Sequence, residues 1–307
     1  MGRSFEPAGG KLASRETSLA LNRFYKGPWE LFAIWVALAS LCFWKQFVEL
    51  IRLSRRDDTY SYVPLIPLIF CWLLYSERKQ PTSPARYQLK IAALFLIPAA
   101  MAILLAMRCS SCAPVTRLSL YILALILIWI SGFVLFMGTE KSRKSLFSLC
   151  FLFFAVPIPD FLLSKIVYCL QVGSAYIAEA IFSLSGAPVL REGFIFRLPK
   201  ISIDIAPECS GIRSSMALVI LALLLAHFAF SPVWKKLVFV FAGLFMMLIK
   251  NGIRIATLTL LANYVNPDFL YGDLHHKGGV VFFLIGLALL IPIYLLLRRG
   301  ETSSRSA

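Results

Sequence analysis

Charge is scarce in this chain of 307 residues: Asp, Glu, Lys and Arg make up 15%, while 59% of residues are hydrophobic. Soluble domains carry about 25% charged residues, so the deficit excludes an ordinary soluble fold and indicates a polytopic membrane protein. Acid is scarcer still, with 16 Asp and Glu against 31 Lys and Arg and a net charge of +15. Such an excess would suit nucleic acid if it were gathered on one surface. Here it is spread over the connections between apolar runs and speaks for membrane orientation, so no nucleic-acid partner is expected. Histidine is nearly absent: His227, His275 and His276 are the three. None lies near Cys109-Ser-Ser-Cys112, so that pair lacks partners for a metal and reads as a local disulfide staple. No spacing in the chain implies a cofactor. Charges inside the apolar runs are also few, which argues against a transport pathway and for chemistry at a small number of sites.

What is present are apolar runs near the roughly 20 residues a helix needs to cross the hydrocarbon core. They fall at about 29–47, 60–75, 91–107, 118–137, 143–158, 212–230, 235–264 and 279–297. The expected fold is therefore an all-α polytopic membrane protein of about eight transmembrane helices. Phe161 to Leu184 carries Lys165 and Glu179 and is read as an interfacial or dipping segment. Basic residues collect in alternate connections. They are Arg3, Lys11, Arg15, Arg23 and Lys26, then Arg78, Lys79, Arg86 and Lys90, then Lys141, Arg143 and Lys144, then Lys235 and Lys236, and last Arg298, Arg299 and Arg305. The positive-inside rule then puts both termini in the cytoplasm. The divisions that follow are a cytoplasmic tail over 1–28, a transmembrane domain over 29–297 and a cytoplasmic tail over 298–307. The polar first 24 residues are read as a disordered tail and not as a removable signal peptide.

Between Val189 and Ala206 the apolar period shortens to two. Phe194, Phe196 and Leu198 alternate, Pro199-Lys200 intervenes, and Ile201, Ile203 and Ile205 alternate again. That pattern predicts a small extracytoplasmic β-hairpin, with an edge to which an extended peptide could add. The hairpin leads into Ala206-Pro-Glu-Cys-Ser-Gly-Ile-Arg-Ser-Ser215 and the apolar run that follows. Cys209 thus stands at a helix N-terminus, where free backbone N–H groups favour a thiolate, with Arg213 as a cation one turn along. A buried cysteine used only for packing is the alternative, and it suffices for Cys42, Cys71, Cys150 and Cys169.

Two further groups share the side of Cys209. Lys250-Asn-Gly-Ile-Arg254 lies within an apolar run, where an arginine is costly, and Asn251 and Arg254, three apart, share a helix face. Snorkelling of Arg254 with Lys250 to lipid phosphate is the competing account. The last connection ends in Leu274-His-His-Lys-Gly-Gly279. Upstream, Asp57 and Asp58 are lesser candidates for substrate contact, and Arg55 and Arg56 read as a solvated loop.

The ordered set PECSGIRSS, NGIRI and LHHKGG resembles the exosortase/archaeosortase family of membrane transpeptidases. The resemblance extends to DDTYSYVPLIPL, FFAVPIPDFL and GAPVLREGFIF, and covers most of residues 57 to 297. It implies that Cys209 is the nucleophile and Arg254 the essential arginine. It also implies that His275 is the histidine, because His275 and Gly279 fit H-x-x-x-G. Glu208, Ser210, Gly211, Arg213, Asn251 and His276 would bind substrate or support these three. Where the family often has a histidine after Tyr-Ser, this chain has Tyr62. The implied activity is that of a cysteine peptidase and transpeptidase in a bacterial inner membrane, with its site on the outer face. Its substrates would be membrane-anchored exported proteins with a PEP-CTERM-like C-terminal signal of motif, apolar helix and basic cluster, transferred to an unspecified acceptor. The alternatives are a non-catalytic polysaccharide-assembly or export protein, and a transporter in which Asn251 and Arg254 line a pathway.

Overall fold

A computed structural model describes residues 27–77, 88–270 and 279–302, leaving out the side chains of residues 208, 209, 270 and 300–302. The chain divides into two compact units, Met1–Ile51 with Leu65–Pro157, and Arg52–Pro64 with Ile158–Ala307.

The first unit is helical. It holds α1 (Pro28–Cys42), most of α2 (Trp44–Arg56), α3 (Leu65–Glu77), α4 (Leu89–Arg108), α5 (Pro114–Lys144) and the short α6 (Leu146–Phe151), which tightens into a 3-10 turn over Leu152–Ala155. Pro28 and Pro114 open their helices where a missing N–H costs nothing. Small residues on α4, Ala99 and Ala102, lie buried against Ala124 and Leu127 of α5 and let the two backbones approach closely. Ser131 Oγ donates to the Ala92 carbonyl at 2.9 Å and Trp35 Nε1 to the Ile128 carbonyl at 2.8 Å, tying α4 and α1 to α5. At the end of α3 the buried Glu77 accepts from Ser148 Oγ at 2.7 Å, and its carbonyl accepts from Lys141 Nζ at 2.6 Å. Gly138, at φ 78° and ψ 169°, breaks the helical path of α5 before that contact.

The second unit contains α7 (Asp160–Ser185), β1 (Leu190–Glu192), β2 (Ile195–Arg197), β3 (Ser202–Asp204), α8 (Ile212–Ala229), α9 (Val233–Tyr264) and α10 (Gly279–Thr302), together with a 3-10 turn over Asp58–Tyr60. Tyr60 Oη donates to the Ile158 carbonyl at 3.0 Å and anchors that turn. α7 closes at Gly186, whose left-handed φ of 67° permits the capping bond from Ala187 N to the Phe182 carbonyl.

Among the described residues, seven helices are long and apolar enough to cross a membrane. They become eight if α1 and α2, bent by 77° at their junction, count as one span. Eight was the expectation, but one member differs. The run read at 143–158 is the short apolar helix Leu146–Ala155, whereas Asp160–Ser185, read as interfacial, has the length and hydropathy of a span. The charges behind the interfacial reading are accommodated, since Lys165 is exposed near the helix start and Glu179 pairs with Arg191 at 2.6 Å. Gln171 and Ser174 are buried, bonded to the Ile205 carbonyl and to Asn251, and a polar group so satisfied does not hold a helix at the interface.

The predicted hairpin is a three-stranded antiparallel sheet in the order β1-β2-β3, with Phe196 opposite Ile203 and Leu190 opposite Arg197. The alternation holds: Phe196, Leu198 and Ile205 are buried, while Arg197, Ser202 and Asp204 are exposed. β1 was not expected; it pairs through a turn at Gly193, φ 64°. The buried face meets Ala175, Ala178 and Phe182 of α7 and Ile255 and Ala256 of α9, with Phe182 and Phe196 edge to face at 5.3 Å. Three polar ties fix the sheet: Arg191 to Glu179 at 2.6 Å, Gln171 Nε2 to the Ile205 carbonyl at 2.7 Å, and Lys200 N to Asn263 Oδ1 at 3.2 Å.

Candidate active site

The segment between the sheet and α8 is short and tightly held. Ile205 ends the apolar alternation with its carbonyl bound to Gln171, and a 3-10 turn over Pro207–Ser210 follows at once. Pro207 opens that turn and Gly211, at φ 68° and ψ 22°, ends it in the left-handed region that favours glycine. α8 then starts, with the first helical bond from Ser215 N to the Gly211 carbonyl at 2.9 Å. No side chain caps α8 among the described residues, so its leading N–H groups and the positive end of its dipole face the turn that carries Cys209.

Behind this turn stands α9. A Cβ added at Gly211 would lie 2.6 Å from Asn251 Oδ1 and 3.7 Å from Lys250 Nζ, so glycine is required by contact as well as by φ. Asn251 is buried and donates from Nδ2 to Ser174 Oγ of α7 at 3.0 Å. Gly252, the next residue, lets α9 close on α7: a Cβ there would press on Ile177 and on the Ser174 carbonyl. Lys250 is 2% exposed and donates to Ser214 Oγ, which donates in turn to the Gly211 carbonyl at 3.1 Å. Arg254 is half-buried, one turn beyond Lys250 on the same face.

Burial of Lys250 removes the snorkelling account for that residue, since its ammonium is spent inside the bundle. An ionised Lys or Arg in mid-span costs about 2.5–3.5 kcal/mol on insertion scales, and here two stand one turn apart. The turn adds buried polar atoms of its own. Ser210 Oγ and Ser215 Oγ have no hydrogen-bond partner among the described residues, and both serines are fully buried.

Of the sequence-predicted site residues, Ser210, Gly211 and Asn251 come together at this turn, with Arg254 one helical turn from Asn251. Cys209 has its backbone in the 3-10 turn, while its side chain and that of Glu208 lie outside the described residues. His275 and His276 also lie outside them. Arg213 points away to the surface, where it bonds Asp58 Oδ2 at 2.7 Å. That pair brings the upstream Asp57–Tyr62 stretch onto the start of α8. Cys109 and Cys112 are joined as a disulfide between α4 and α5, their Cα atoms 5.3 Å apart. Ser174, Ser214 and Gln171 were not anticipated. A signal existed for α7: Gln171, Ser174, Ala175 and Ala178 recur at helical spacing as a stripe of small and polar residues, the pattern of a tight helix contact.

The family model described as transmembrane exosortase matches residues 44–292, most of the chain. The chain belongs to the transmembrane exosortase family. No curated protein and no solved structure matches it. Exosortase membership carries a general role in processing sorting signals at the membrane. The matched stretch runs from the start of α2 to just past the middle of α10, so it contains the cysteine turn, the Lys250–Arg254 segment and the histidine pair of this exosortase.

Proposed function

We propose that this exosortase is a membrane-embedded cysteine peptidase and transpeptidase. It cuts the C-terminal sorting signal of exported, membrane-anchored proteins and joins them to a surface acceptor. The observation that carries this reading is the contact of Gly211 with Asn251, which seats the PECSG turn on the helix face that bears Arg254. Two motifs 40 residues apart are thus packed on one another.

In the proposed mechanism the Cys209 thiolate adds to the peptide carbonyl at the sorting motif, forming the C–S bond. Arg254 and the leading N–H groups of α8 hold the oxyanion. The C–N bond breaks, His275 gives a proton to the leaving amine, and a thioester remains. The acceptor nucleophile then loses its proton to His275 and attacks the thioester, and the thiolate departs. Glu208, Ser210 and His276 would line the substrate path. Residues 29–297 form the catalytic membrane domain between cytoplasmic tails, 1–28 and 298–307. With α1 and α2 counted as one span, the exchange of one span for another within 143–185 leaves the parity unchanged, and the positive-inside rule then assigns Cys209 to the outer face of a bacterial inner membrane. A sorting signal with an apolar helix and a basic end fits this site, because its helix would lie in the bilayer beside the enzyme and lift its motif to that face.

The test is co-expression with a tagged substrate, with intact mass measured for the processed chain. Cys209→Ala should insert normally and leave the signal attached. Processing by that variant would remove the nucleophile assignment.

A further inference from the structure

We propose that the outer edge of β3, Ser202–Asp204, receives an extended stretch of the exported substrate as a fourth strand of the sheet. This rests on the reading of the chain as a sorting-signal enzyme and deepens it by naming the surface that holds the substrate's backbone.

The ladder decides which backbone groups are free. Leu198 N donates to the Ile201 carbonyl at 2.8 Å and Ile205 N to the Phe194 carbonyl at 3.1 Å, so residues 201, 203 and 205 turn their backbone groups toward β2. In an antiparallel pair the residues between them turn theirs away. β3 is the last strand of the sheet, and among the described residues the N–H groups of Ser202 and Asp204 find no acceptor. The Asp204 carbonyl is taken by Ala206 N at 3.0 Å, so the edge offers two donors and one acceptor, the Ser202 carbonyl. Both side chains are polar and exposed, which suits water and not lipid.

The opposite edge is not equivalent. β1 follows Pro188, which has no N–H, and the side chain of Arg191 at its centre folds back, with Nε on the Gly193 carbonyl at 2.9 Å and Nη1 on Glu179 at 2.6 Å. Proline and charge at an edge discourage pairing. β3 holds no proline, and the side chain of its one charged residue, Asp204, stands off the face of the sheet and not across the edge. Both ends of β3 are fixed, Lys200 N by Asn263 Oδ1 of α9 at 3.2 Å and the Ile205 carbonyl by Gln171 Nε2 of α7 at 2.7 Å. An edge held in place in advance spares a ligand part of the ordering cost. Continuity selects the occupant. β3 passes through Ile205 and Ala206 directly into the 3-10 turn Pro207–Ser210, so a peptide laid along the edge is led to the backbone of the cysteine turn. A second copy of the chain paired there would instead cover the approach to that turn.

The test uses the full chain as Cys209→Ala in detergent, so that substrate is held without being cut. The probe is a tagged carrier protein that ends in a sorting motif, an apolar helix and a basic cluster, and capture is read by pull-down over a range of enzyme concentration. Ser202→Pro deletes one outward donor and leaves the bonds to β2 in place, because an edge strand tolerates proline where its N–H faces outward. Capture should weaken about tenfold, near the upper end for one hydrogen bond, while Ser202→Ala, which keeps the N–H, should retain most of it. Hydrogen exchange followed by mass spectrometry needs no variant at Ser202: in the complex, the amides of Ser202 and Asp204 should gain protection. Equal capture by Ser202→Pro and its parent overturns the proposal, and so does an equal loss in Ser202→Ala, which would assign the contact to the hydroxyl. If Ser202→Pro fails to accumulate, unchanged exchange at these two amides overturns it alone. A chain that is dimeric without substrate and monomeric as Ser202→Pro would give the edge to a second copy and overturns it as well. A carrier that is never captured strikes the sorting-signal reading together with the proposal, whereas a carrier captured equally by Ser202→Pro strikes the proposal alone, so the two failures are separable.

Discussion

Arg213 Nη1 donates to Asp58 Oδ2 at 2.7 Å, across 155 residues of sequence. The pair joins the 3-10 turn Asp58–Tyr60 to the first turn of α8 and is open to solvent on both sides. Exposed ion pairs contribute about 0.2–1 kcal/mol. Asp58→Asn should therefore lower processing by no more than about fivefold, and the exchanged pair Asp58→Arg with Arg213→Asp should restore part of the loss. A loss of a hundredfold in Asp58→Asn would show that the carboxylate meets substrate directly.

Gly211 is held by its φ of 68° and by Asn251 at once. Gly211→Ala costs about 1–2 kcal/mol for the left-handed backbone, to which the clash adds. Processing should fall more than tenfold, while the protein still inserts. Asn251→Ala in the same chain removes the clash but not the strain, so the double variant should recover part of the loss, with a coupling of about 0.5–3 kcal/mol. Strictly additive losses in the four-variant cycle would mean that the two residues do not touch.

Gln171 carries the bond that ends β3 ahead of the cysteine turn. Gln171→Leu strands the buried Ile205 carbonyl at a cost of about 1–3 kcal/mol, less than the 3–5 kcal/mol expected for Phe196→Ala on the same sheet. Midpoints of thermal unfolding in detergent should fall in that order, Phe196→Ala lowest. A Gln171→Leu variant as stable as the parent would mean that water replaces the amide.

Arg254→Lys keeps the charge and loses the planar fork of donors. If Arg254 holds the oxyanion, processing should drop by about 10²–10³, the range for removing one such donor, with substrate still captured by the Cys209→Ala background. Full activity in Arg254→Lys would demote the residue to a structural or lipid-facing cation.

Period was the most legible property of this chain. Alternation over Phe194–Ile205 foretold strands, because a side chain in a sheet can face only one of two ways; Phe196, Leu198 and Ile205 are buried, and Phe194, Ile201 and Ile203 partly so. The third strand escaped notice because Leu190–Glu192 is too short to show alternation. Hydropathy misjudged Asp160–Ser185 for a different reason. Lys165 and Glu179 marked it as interfacial, yet Lys165 is exposed near the helix start and Glu179 is paired with Arg191 of the sheet, which the local sequence cannot show. Arg213 was placed near the nucleophile by spacing alone; the helix turns it outward to Asp58.

The residues by themselves determined that this chain lives in a membrane, that it has about eight spans, and that a cysteine follows strands and precedes an apolar helix. These are properties of composition and local period. Only the tertiary structure decided which polar groups meet: that Asn251 seats Gly211, that Lys250 reaches Ser214, and that α7 closes on α9 through Gly252 and Ser174. Such contacts join positions 36 to 78 residues apart, and their energies depend on distance and burial, which come into being when the helices pack.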